Sequence, residues 1–167
     1  MRQAFEEYVS ARGGRLLRFA YLLCGDRHLA EDLVQEVLAK AHRRWDRIEA
    51  DAPDGYLRAA IVRTNLSWWR RRSSRERVTA EPPERDGPRP DFADTHAVRD
   101  ELWRLLAILP RAQRAVLVLR FFEDLDDQSI AAVLGCAPGT VRVHASRGLA
   151  ALRAALPASL ALNGDAR

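Results

Sequence analysis

The chain has 167 residues, 47% of them hydrophobic, with 27 Lys plus Arg against 23 Asp plus Glu and a net charge of +4. That length holds one medium domain or two small ones with an adequate core, and a pI near 9.7 suits an anionic partner without choosing between nucleic acid and a membrane surface. Cys24 and Cys136 stand far apart with no CxxC spacing, which argues against a disulfide framework or zinc site and for two buried thiols in a reducing compartment.

The amino terminus, MRQAFEEYVSARGG, carries acids and no apolar stretch, so it does not read as a signal peptide. No run approaches the ~18 apolar residues of a membrane span. A cytosolic protein without membrane insertion is expected. Lys40 is the only lysine, so nearly all positive charge is guanidinium, able to fork onto phosphate or guanine.

RLLRFAYLLCG predicts a buried helix closed by Gly25 at its C′ position. Asp26 then caps a long helix, HLAEDLVQEVLAKAHRRW. Its Leu29, Ala30, Leu33, Val34, Val37, Leu38, Ala41 and Trp45 sweep one apolar arc, and Glu31, Asp32, Gln35 and Glu36 fall outside it. A loop, DRIEADAPDG, leads to a third helix, YLRAAIVRTNLSWWRRR. At 100° per residue Leu57, Ile61 and Trp68 share a face, Trp69 lies on the flank beside Val62, and Arg63 and Arg70 point the other way. Trp68 therefore reads as core. Trp69, with Arg70, Arg71, Arg72, Arg75 and Arg77, is left for a partner, and aromatics beside dense arginine suit single-stranded nucleic acid.

AEPPERDGPRPDFADT, with four prolines and five acids, breaks the chain. The expected organisation is a first domain over 1–78, a flexible Pro/acid-rich linker over 79–97, a second domain over 98–157 and a tail over 158–167. Neither half shows strand alternation, so the predicted fold is all-α.

The second half opens with VRDELWRLLAILP, an amphipathic helix stopped by Pro110, then RAQRAVLVLRFFED, apolar through Val116, Leu117, Leu119 and Phe121. DDQSIAAVLGCAPGTVRVHASRGLAALR follows. QSIAAVL ends at Gly135, and Pro138 takes the first position of the next helix. With Ile130, Leu134, Val141 and Ala145 at packing positions, this is helix-turn-helix punctuation, although any tight αα-hairpin can imitate it. Val141, Ala145, Gly148 and Leu152 are expected inward. Thr140, Arg142, Val143, Ser146, Arg147 and Arg153 are expected outward, where Arg142 and Arg147 can read guanine while Thr140 and the helix amino terminus hold phosphate.

His28, His42, His96 and His144 do not cluster, and no Ser-His-Asp set or glycine-rich phosphate loop is present. No metal, cofactor or catalytic residue is expected. On the residues alone, a stand-alone helix-turn-helix repressor or activator with an amino-terminal helical sensor domain competes with any other reading.

AEDLVQEVLAKAHRRW resembles the core-polymerase-binding helix of bacterial sigma factors. YLRAAIVRTNLSWWRRR resembles their −10-engaging segment, and LPRAQRAVLVLRFFEDLDDQSIAAVLGCAPGTVRVHASRGLAALR the domain that reads the −35 element. Three motifs in this order, with two domains only, resemble an extracytoplasmic-function (ECF) sigma factor, and SWWRRR an actinobacterial subgroup of it.

The resemblance implies that Asp32, Leu33, Gln35 and Glu36 contact the clamp helices of the polymerase, and that the loop from Asp46 to Gly55 cradles a flipped −10 base. It places Arg63, Trp69, Arg70, Arg71 and Arg72 at the −10 element and its melting. At −35 it implies that Arg142, Val143 and Arg147 sit in the major groove, beside Thr140 and Ser146. The implied partners are core RNA polymerase, promoter DNA (duplex at −35, single-stranded at −10) and an anti-sigma factor. Arg63 departs from a common Asn, and His144 from a common Arg or Gln, so Arg63 is given no base contact and the −35 preference stays open.

Overall fold

The computed structural model describes residues 2–49, 52–76 and 95–156. Among them the chain is α-helical with no strand, and it divides into two units, Met1–Pro90 and Asp91–Arg167. Most of the Pro/acid-rich linker, Arg77 and the tail lie outside the described residues.

In the first unit α1 spans Arg2–Cys24, α2 Arg27–His42, α3 Trp45–Glu49 and α4 Pro53–Glu76. Helix α1 begins well before the expected RLLRFAYLLC segment, and Gly13 and Gly14 do not interrupt it. It ends where expected: Gly25 adopts φ 70, and its N–H donates to the Tyr21 carbonyl at 2.7 Å. Asp26 then accepts from the Leu29 N–H at 2.9 Å and starts α2.

Helices α1, α2 and α4 pack on one another. Leu16, Phe19, Ala20 and Leu23 of α1 meet Ala30, Leu33, Val37 and Ala41 of α2 and Leu57, Ile61 and Val62 of α4 in a closed core. Each large apolar side chain removed from water there contributes ~1.5–3 kcal/mol. The predicted long second helix is broken at Arg43 and Arg44, so Trp45 begins α3 instead of ending α2. Trp45 still lies inward, as its place on the apolar arc predicts: it is 1% exposed, and Phe5 and Tyr8 of α1 pack on it with ring centroids 5.0 and 4.9 Å away.

The face of α4 predicted to end in Trp68 ends instead in Asn65, which is buried, while Trp68 is only half-buried. Spacing along α4 was read correctly. What it could not give is where the partner helix stops covering that face.

In the second unit α5 spans Thr95–Ala107, α6 Arg111–Phe121, α7 Asp127–Leu134 and α8 Pro138–Ala155. Helix α5 thus starts inside the stretch expected to be linker. Ala115 to Leu119 of α6 are all buried, so α6 is the central helix, and α7 and α8 pack on it. Phe121, expected with the apolar face, is exposed like Phe122, because α6 runs past the helices that cover it. Arg114 donates to the carbonyls of Leu106, Ala107 and Leu109 at 2.9, 3.3 and 3.1 Å, satisfying acceptors that the end of α5 leaves open.

Asp126 caps α7 by accepting from the Ser129 N–H at 2.7 Å, a bond that holds its carboxyl below the ordinary range. Gly135, at φ 68, turns the chain, and Pro138 opens α8. Gly148 lets α8 approach α6: a Cβ there would stand 3.0 Å from Leu117 Cδ1. Both thiols, expected to be buried, are half-buried and unbonded to each other.

Candidate polymerase and nucleic-acid interfaces

The amphipathic arc of α2 leaves a short polar strip facing outward. Asp32 and Gln35 are exposed, and Glu31 is half-exposed and paired with Arg27 at 3.0 Å. Leu33 does not belong to that strip. It is 0% exposed, one of the innermost side chains of the unit, so the expectation that it touches a partner is corrected: it packs the helix that carries its neighbours.

Glu36 occupies a joint. Its Oε1 accepts from Lys40 Nζ at 2.5 Å and its Oε2 from the Trp68 indole N–H at 2.9 Å. The Lys40 hydrogen bond is the main cause holding its carboxyl below the ordinary range; burial opposes it, and Trp68 and Arg71 assist. Glu36 therefore stays ionised while it ties α2 to α4.

Helix α4 carries the basic surface. Arg63, Arg70, Arg71 and Arg72 are exposed, and Trp69 is half-buried beside them. Arg71 donates to Ser67 Oγ at 3.1 Å, and the Arg72 guanidinium carbon lies 5.2 Å from the Trp69 ring centroid. A cation on a ring face is worth ~0.5–1 kcal/mol at such a site. The same face is what a base would stack on, so Arg72 and a base compete for it.

The segment from Asp46 to Gly55 is not a plain loop, because α3 and the first turn of α4 occupy most of it. Ala52 lies at φ 56, a left-handed position that marks a sharp turn. Asp54 accepts from the Tyr8 hydroxyl at 2.5 Å. Burial first, and then this bond, push the Tyr8 hydroxyl up from its ordinary value, so it remains a protonated donor. The clamp of Phe5, Tyr8, Trp45 and Asp54 was missed in the sequence. A signal existed: Phe5 and Tyr8 stand three apart, on one face of a helix.

On α8, Thr140, Arg142, Val143, Ser146, Arg147 and Arg153 are all exposed, while Val141, Ala145 and Gly148 are buried. No side chain caps the amino terminus of α8. Pro138 has no N–H there, and the Thr140 and Val141 N–H groups donate to the Ala137 carbonyl at 3.0 and 3.3 Å, so the Gly139 amide is the one at that end that can face an anion. His144 is half-buried, with Nδ1 enclosed and unbonded. Asp127, the first residue of α7, sits between two arginines: it is ion-paired with Arg120 of α6, and its Oδ2 is 3.9 Å from Arg142 Nη1. The described residues hold no group of three or more His, Cys, Asp or Glu placed to bind a metal ion, and no helix long and apolar enough to cross a membrane.

The first unit thus presents an exposed polar strip on α2 and a Trp/Arg-rich helix packed against it, and the second unit has helix-turn-helix geometry. Residues 8–75 match the model of Sigma-70 region 2, and residues 99–152 that of Sigma-70 region 4. The chain is 41% identical over 92% of its length to the RNA polymerase sigma-E factor of Streptomyces coelicolor, of which it covers 86%. It is 31% identical to the ECF RNA polymerase sigma factor SigL of Mycobacterium tuberculosis, over 93% of this chain and 88% of that one. The sigma factor RpoE of Bartonella quintana, solved in complex with the anti-sigma factor NepR, superimposes with a TM-score of 0.74 at 25% identity, over 90% of this chain and 95% of that one. The chain belongs to the ECF group of the sigma-70 family, with its actinobacterial members among its relatives.

Proposed function

We propose that this chain acts in the cytoplasm as a promoter-specificity subunit of RNA polymerase, with no catalytic step of its own. The exposed strip of α2, Asp32 and Gln35 with the outer edge of Glu36, meets the core enzyme. Arg63, Arg70, Arg71 and Arg72 hold the backbone of the −10 strand, Trp69 stacks at its edge, and the turn around Ala52 receives a flipped base. Helix α8 enters the major groove at −35. There Arg142, Val143 and Arg147 face base edges, and Thr140, Ser146 and the uncapped helix end face phosphate. The Bartonella relative was solved with an anti-sigma factor, and a partner of that kind belongs to the proposal here.

One observation carries this reading: the two family regions, in order, coincide with two separate units that each present an exposed basic helix, α4 and α8. Melting needs single-strand capture in one place and duplex readout in another. The test is co-purification of the full chain with core RNA polymerase, followed by binding to promoter DNA with and without the core. Polymerase-dependent promoter binding is expected. Tight operator binding by a dimer with no affinity for the core would replace this account with that of a stand-alone repressor or activator.

A further inference from the structure

Asp127 lies outside the set of residues that face DNA in the reading above, yet it touches one of them. Its carboxylate stands at the first turn of α7, where the amino-terminal end of a helix favours an anion. Arg120 of α6 is ion-paired to one oxygen, and both side chains of that pair are 27% exposed. The other oxygen faces Arg142 of α8 at 3.9 Å, and Arg142 is 65% exposed. The Arg142 guanidinium lies back toward the start of α8, so that a Cβ on Gly139 would be 3.8 Å from its Nη2.

The arrangement has a physical logic. A lone carboxylate beside a DNA-facing helix would repel phosphate, but Arg120 compensates this one. An exposed arginine samples many rotamers and loses that freedom when it forks onto a base. A carboxylate fixed on a neighbouring helix narrows the choice in advance and leaves the rest of the guanidinium fork free.

We infer that Asp127, held by Arg120, is a positioning residue that pre-sets Arg142 for base reading at the −35 element. The inference rests on the proposed function. Its effect falls on specificity and not on general affinity, because Asp127 itself touches no DNA.

The experiment uses holoenzyme, the full chain assembled with core RNA polymerase, on a promoter library randomised across the −35 element, with base preference at each position read from transcript abundance. Arg142→Ala should abolish the preference at one base position. Asp127→Asn should weaken the preference at that same position by roughly 2- to 10-fold, the size expected for one arginine left to order itself, and leave the other positions and total transcription nearly unchanged. In an Arg142→Ala background Asp127→Asn should add nothing. Because Asp127→Asn strands Arg120, the paired variant Arg120→Gln with Asp127→Asn, which leaves no lone charge, should give the same profile. An unchanged profile in a folded Asp127 variant, or an equal loss at every position, overturns the inference while leaving promoter reading intact. If Arg142→Ala itself changes no preference, base reading by Arg142 fails, and the role of Asp127 fails with it.

Discussion

The Glu36 carboxylate of α2 accepts a hydrogen bond from the Trp68 indole of α4 at 2.9 Å, across 32 positions of sequence. The helix proposed to meet polymerase and the helix proposed to meet DNA are thereby tied by a polar contact at the rim of the core. A carboxyl held low by its partners gives stability that is present above its unfolded-state pKa and is lost as pH falls through the lowered folded-state value. Glu36→Gln removes that component. The melting temperature of the native chain should exceed that of the variant near neutral pH, and the gap should close as pH falls from about 5 towards about 3. A gap that stays constant across that range would mean the Glu36 charge does not stabilise the joint.

The tryptophans should separate by burial. Trp45 is 1% exposed and packed by Phe5 and Tyr8, so Trp45→Ala should cost ~3–5 kcal/mol. Trp68 is half-buried and tied by its N–H. Trp68→Ala should cost about half as much, since it forfeits less apolar burial together with one charge-assisted hydrogen bond. Urea denaturation measures both. Equal losses would place Trp68 in the core after all.

Most of this architecture was legible in the sequence because it depends on local chemistry. Gly25 and Gly135 end helices, Asp26 begins one, and Val141, Ala145 and Gly148 keep one face of α8 apolar and small. What periodicity could not supply was where one helix stops covering another. That is why Trp68 and Phe121 were expected inside; Leu33 was placed on the apolar arc by periodicity and is buried, and its expected contact with a partner came from the resemblance alone. The Asp127 pairings were illegible for a related reason. Arg120, Asp127 and Arg142 sit on three helices, and only their packing brings the side chains together.

The polymerase strip can be tested without disturbing the fold. Asp32 and Gln35 are exposed, so Asp32→Arg with Gln35→Arg should leave helicity and melting temperature within the usual range for surface changes, about 0.5 kcal/mol. Core binding, measured by native electrophoresis or by competition between sigma factors, should fall sharply if the facing surface is basic. Full binding by the folded double variant would remove this strip from the interface.

The arginines of α4 should declare themselves through salt. Each phosphate contact removed flattens the dependence of log K on log salt by about 0.7 for single strands, so Arg70→Ala, Arg71→Ala and Arg72→Ala should each lower the slope by roughly that amount on −10 strand DNA bound by holoenzyme. Arg72→Ala also uncovers the Trp69 face. Trp69→Ala should keep the fold and slow open-complex formation, by the ~1–3 kcal/mol that a stacked base is worth. A pre-melted template should then reduce the defect if Trp69 nucleates melting. Normal transcription on both templates would leave Trp69 as packing for Arg72 alone.

In the function proposed above, the chain gives promoter specificity to a polymerase that lacks it. Run-off transcription with purified core RNA polymerase and fragmented genomic templates tests this directly, with the chain added or withheld and the 5′ ends mapped. Discrete start sites should appear only with the chain and share sequence at −35 and −10. The sites should disappear with Asp32→Arg/Gln35→Arg and change their −35 preference with Arg142→Ala. Start sites that do not depend on the chain, or a folded chain that binds DNA as a dimer and directs no transcription with any core enzyme, would contradict it.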